Sequence, residues 1–136
     1  MTTIRTAQHS FALAAPGKAL NITLWTLQGF VALAFAAAAA GKLLGSAEMI
    51  ALFDAVGVGQ WFRYVTGLLE LVGAFLLIAP GMAAFGSVLL LGVMAGAVVA
   101  HVTVLHTAPT APLVLFALTT LISWGRRTQL TSVFGS

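Results

Sequence analysis

The largely apolar run from Val65 to Ala79 carries a single charged group, the carboxylate Glu70, near its centre. Carried back to Trp61, the segment has the length of a membrane span, since roughly 30 Å of hydrocarbon takes about 20 helical residues. A carboxylate at the middle of such a span is costly in lipid. It faces a bundle interior or a wet cavity and has a partner there. Any fold for this chain therefore has to give Glu70 an inward face. Four groups stand out as partners: Arg63, Lys42, His101 and His106.

The rest of the chain sets the same solvent. Of 136 residues, 60% are hydrophobic and 7% are charged, against about 25% charged in soluble domains; the mean hydropathy is +1.07. Six Lys and Arg against three acids sit at segment ends, where they act as topology signals and surface anchors. That scatter argues against nucleic acid. The absence of cysteine excludes CxxC redox chemistry, disulfides, thiolate zinc and iron–sulfur clusters.

Four apolar segments predict an all-α integral membrane four-helix bundle. Residues 1–20 read as a cytoplasmic lead-in, residues 21–126 as the four-span membrane domain, and residues 127–136 as a polar, loosely held tail. The lead-in lacks a ready apolar h-region, so span one reads as a retained anchor rather than a cleaved leader. Span one covers Asn21 to Ala40, ends in the alanine run Ala36 to Ala40, and is closed by Gly41-Lys42-Leu43-Leu44-Gly45. Ser46 to Val56 is too short to cross and predicts an amphipathic interfacial helix, capped by Ser46 with Glu48 in its first turn. Spans two, three and four run Trp61 to Ala79, Met82 to Leu105 and Leu113 to Trp124. Gly92 and Gly96 form a GxxxG that predicts close helix packing, within one chain or between copies in a homo-oligomer. Arg5, Lys18, Arg126 and Arg127 lie at the termini, against Lys42 and Arg63 at the opposite face. The bias predicts both termini in the cytoplasm.

This topology gathers the candidate site residues Glu70, Lys42, Arg63 and His101 in the outer half, with Asp54 and His106 above them. Arg63 and Glu70 are seven residues apart and share a helix face. In the inner half, Gln28, Thr119, Thr120 and Ser123 read as structural, since Thr and Ser hydroxyls bond to their own helix backbone. His101 and His106, five apart, do not share a helix face, which leaves neither a metal site nor a bis-histidine haem.

Gly-Lys-Leu-Leu-Gly closing span one, then Phe62 to Leu77 with its Gly67, Glu70 and Gly73 pattern, a small-rich third span with a histidine, and Trp124-Gly125-Arg126-Arg127 together resemble the DoxX-like family over about Phe30 to Arg127. The resemblance implies a four-helix membrane protein. Some members are named for the small subunit of a thiosulfate:quinone oxidoreductase, and others are linked to membrane-bound redox assemblies. The related vitamin K epoxide reductase architecture uses cysteine pairs, which are absent here, so that chemistry does not carry over. The family pattern marks Lys42, Arg63, Glu70 and His101 for testing, and Gly67 and Gly73 for packing.

Three readings stay open. In the first, the bundle is a membrane subunit whose outer-half pocket takes a quinone or similar amphipathic ligand, with Glu70 handling a proton, in association with redox subunits. In the second, Glu70 pairs with a cation only to fix helix register in a structural subunit. In the third, the chain is a small proton-coupled exporter. That recipe expects the carboxylate on span one and a weaker charge bias than this chain has.

Overall fold

The computed structural model describes residues 16–135 and is helical throughout its regular structure. The chain forms α1 (Lys18–Leu44), α2 (Ala47–Val56), α3 (Gln60–Ile78), α4 (Ala83–Ala100), α5 (Thr110–Gly125) and α6 (Arg127–Phe134). A π-helical turn, His101–Leu105, prolongs α4. Most of the expected lead-in lies outside the described residues. α1, α3 and α4 with its π turn are long and apolar enough to cross a membrane. α5 is shorter: its 16 residues reach about 24 Å.

α1 is longer than the expected Asn21 to Ala40, because lysine is a good helix former and does not stop a helix. The stop is Gly45, at φ 71 and ψ 55, whose N–H returns to the Gly41 carbonyl. Only glycine adopts that left-handed cap without a Cβ penalty. α2 forms as expected: the Ser46 hydroxyl accepts the Met49 N–H at 3.3 Å, with Glu48 in the first turn. Gly57 and Gly59, both at positive φ, then turn the chain into α3.

The inward stripe of α3 differs from that of a soluble helix. On α3 the buried positions are Arg63, Gly67, Glu70, Gly73, Ala74 and Leu77, a stripe of helical period made of polar and small residues plus one leucine. Leu68, Leu71, Val72 and Phe75 point outward and are exposed. On α1 the buried stripe is Leu24, Gln28, Val31, Ala32, Phe35 and Ala39, and Lys42 continues it at helical spacing. Small residues close the contacts. A Cβ on Gly73 would lie 2.5 Å from Leu90, and one on Gly86 2.9 Å from the Gly73 carbonyl oxygen, so α3 and α4 touch backbone to backbone. A Cβ on Gly67 would meet Leu43 at 3.0 Å.

In the bundle α1 packs against α3 and α5, and α4 against both α3 and α5. Val31, Phe35, Leu77, Leu90 and Ile122 fill the centre of one half. α1 begins and α5 finishes at that half's end, since Arg126 Nη1 donates to Asn21 Oδ1 at 2.7 Å. The segment after Arg126 is not loosely held. It forms α6, and Gln129 Oε1 accepts the Ala84 N–H at 2.9 Å, satisfying one of the donors that the start of α4 leaves free.

Candidate functional site

The other half of the bundle is hollow. A cavity of about 610 Å³ lies among α1, α3, α4 and α5, with α2 forming part of its wall. The lining is mainly apolar, and Lys42, Glu48, Thr66, Glu70 and His101 are its main polar members. Glu70, 1% exposed, receives a hydrogen bond from Lys42 Nζ on its Oε2 at 2.9 Å. Among the described residues this is the one Lys/Arg–carboxylate ion pair. It exists because the α1 and α3 stripes face each other where Gly67 lets the helices approach closely, beside Lys42 itself.

Arg63 is buried, on the same stripe as Glu70, yet it is not in the cavity wall. Its Nη1 donates to the Lys42 carbonyl and its Nε to Gln60 Oε1 at 2.6 Å. The guanidinium also lies 4.3 Å from the centre of the Tyr64 ring. It therefore caps the C-terminal end of α1, where helix carbonyls lack partners. The physical reason is register: α1 ends at the level of Arg63, so the arginine meets backbone carbonyl before it can reach Glu70. Gln60 extends the chain of bonds, donating to Asp54 Oδ1 at 2.7 Å, and Asp54 itself stays exposed.

His101 reaches the cavity from the opposite wall. Its Nδ1 is 2.8 Å from Thr107 Oγ1, and its carbonyl accepts the Thr107 N–H at 3.0 Å. Two bonds to one residue hold the ring and the π turn together, with His106 in the left-handed region at φ 50. His106 does not line the cavity.

Within one chain Gly92 and Gly96 pack against no other helix. A Cβ on either would meet nothing within 4 Å; both line the cavity and are exposed. The small-xxx-small pattern is present, but within one chain its open side faces the cavity.

The opposite end holds a polar network centred on Arg126. Arg126, 7% exposed, donates through Nε to Gln28 Oε1 at 2.7 Å, besides its bond to Asn21. Gln28 in turn donates to the Leu77 carbonyl near the end of α3. The Trp25 ring lies 5.3 Å from the guanidinium. Arg126 is thus more than a topology charge. The available signal was the face shared by Asn21, Trp25 and Gln28 at spacings of four and three, two amides needing a partner. Thr119 and Thr120 bond to Leu115 and Phe116 carbonyls, as back-bonding hydroxyls do. Among the described residues no three His, Asp or Glu side chains gather as a metal set.

Apolar-faced helices around a half-hollow interior, with an ion pair in its wall, define a small helical membrane protein. The chain belongs to the DoxX-like family, whose model matches residues 26–123. No curated protein and no solved structure matches it.

Proposed function

We propose that this DoxX-like protein is a membrane subunit that binds a quinone or similar amphipathic molecule in the cavity beside Lys42 and Glu70, in association with redox subunits. The observation that carries the reading is the cavity itself, about 610 Å³ and mainly apolar, with a few polar groups in its wall. That combination is what an amphipathic ligand needs: apolar walls for the body and a few placed polar groups for the head. An ammonium has three N–H donors, and Lys42 uses one on Glu70. Lys42 and His101 are thus the groups offered to a ligand oxygen, and Glu70 is the group offered to a proton. In this reading both termini face the cytoplasm and the cavity lies in the outer half, as the Lys/Arg bias supports. The test is to purify the protein in mild detergent and analyse the extracted lipid. Co-purifying quinone that is lost in Glu70→Gln supports the proposal, and its absence from both wild type and mutant sinks it.

The Lys42–Glu70 bond favours a second reading, in which the pair only fixes the register of α1 against α3. A buried pair leaves a costly orphan when one partner is removed, while replacing both partners is often neutral. A Lys42→Met, Glu70→Gln double variant that folds and still supports the activity of the assembled complex would establish the structural role.

A further inference from the structure

We infer that the cavity selects ligands with an uncharged head group and rejects anionic and cationic ones of the same length. The inference rests on the cavity reading above and narrows its ligand class. Three observations lead to it.

The first is charge balance at depth. Lys42 Nζ lies 2.9 Å from Glu70 Oε2, and an ammonium paired with a carboxylate sums to zero charge. The pair presents donors and an acceptor but no surplus charge. Arg63, the cation of α3, is turned away and committed to the Lys42 carbonyl and Gln60. An anionic head thus finds no unmatched cation beside the pair. A cationic head would have to displace Lys42 from Glu70, leaving one of two ammonium groups unpaired in an apolar site.

The second is the lining. Nearly all the rest of the wall is apolar, so it can replace the hydration shell of a hydroxyl or ketone with one or two hydrogen bonds, but not that of an ion. Glu48 is the one further charge. It stands exposed on the first turn of α2, where water screens it.

The third is the bare wall. Gly92 and Gly96 lie midway along the apolar stretch Ala83–Leu105 and offer open space where side chains would otherwise stand. They set the width of the cavity at the level of the hydrocarbon, where only the uncharged part of a ligand is accommodated without cost.

The test compares three probes of equal chain length: 1-dodecanol, dodecyl phosphate and dodecyltrimethylammonium. Each is radiolabelled and equilibrated with the full chain in lipid nanodiscs. Specific binding is the part lost in Gly96→Leu, with Gly92→Leu as a second cavity-filling variant and circular dichroism confirming that both fold. The expected result is a dodecanol affinity at least ten-fold above that of either ionic probe, and at least ten-fold lower in the filled variants. An ionic probe that binds as tightly as dodecanol, and is lost on filling, overturns the head-group inference while leaving the cavity reading intact. No filling-sensitive binding of any probe overturns the cavity reading itself.

Discussion

Lys42 Nζ sits 2.9 Å from Glu70 Oε2, while the carbonyl of the same lysine accepts a hydrogen bond from Arg63. One residue of α1 is thus gripped twice by α3, once through its side chain and once through its backbone. The first grip faces the cavity and the second faces away from it. The two cations of this end consequently have different consequences when removed.

Lys42→Met leaves the Glu70 carboxylate buried without a partner. Breaking a buried pair from one side costs about 3–5 kcal/mol, and the double change with Glu70→Leu recovers most of it. Denaturant titration of helicity in mixed micelles measures both. A single Lys42→Met variant as stable as wild type would show that the pair contributes nothing to the fold.

Arg63→Met removes the cap from the end of α1 without touching the cavity wall. The loss is about 1–2 kcal/mol, and amide exchange accelerates locally over residues 41–46. Ligand binding in the cavity stays within two-fold by the dodecanol assay. A larger loss of binding than of stability would place Arg63 in the site after all.

The glycines divide into two classes with opposite signs. Gly86→Ala drives a Cβ to 2.9 Å from the Gly73 carbonyl oxygen, and overpacking of this kind costs about 1–3 kcal/mol. Gly96→Ala meets nothing within 4 Å and gains up to about 1 kcal/mol from helix propensity. Thermal melts in one detergent compare the two directly. Equal destabilisation by both would contradict the open wall.

Arg126→Met strands Asn21 Oδ1 and Gln28 Oε1, each an acceptor that now lacks its donor. An unsatisfied buried group costs about 1–3 kcal/mol; that applies in full to buried Gln28 and in part to half-buried Asn21, so the total falls near ~2–4 kcal/mol. Arg126→Lys recovers less than half, since an ammonium lacks the fork that reaches two separated amides. Arg127→Met, removing a guanidinium that lies over the exposed Trp124 ring at 4.6 Å, changes stability little.

Much of this architecture is legible from residue order alone, for reasons that are local. Hydrocarbon length sets the long helices, Ser46 and Gly45 set caps, and the spacing of Arg63, Gly67, Glu70 and Gly73 sets the inward face of α3. What is not legible is register between helices. Arg63 and Lys42 are equivalent candidates for Glu70 by type and by depth. Only the relative height of α1 and α3 decides that the lysine reaches the carboxylate and the arginine reaches a carbonyl. Gly92 and Gly96 differ from Gly73 and Gly86 for a related reason, since a small face says that something can come close without saying what, and within one chain nothing does. Arg126 was hidden because a positive charge after a span has an ordinary explanation, and its partners lie about a hundred residues earlier in the chain.

That separation has a bearing on biosynthesis. Asn21 and Gln28 belong to α1, which is made well before α5 and the guanidinium they bond to. Until α5 has been inserted, α1 waits in the bilayer with two amides whose final partner does not yet exist. Closure of the bundle is in this sense a post-insertion event, fastened from the α5–α6 junction back to α1. A chain stalled before Arg126 would hold its long apolar helices in the membrane with the clasp still open.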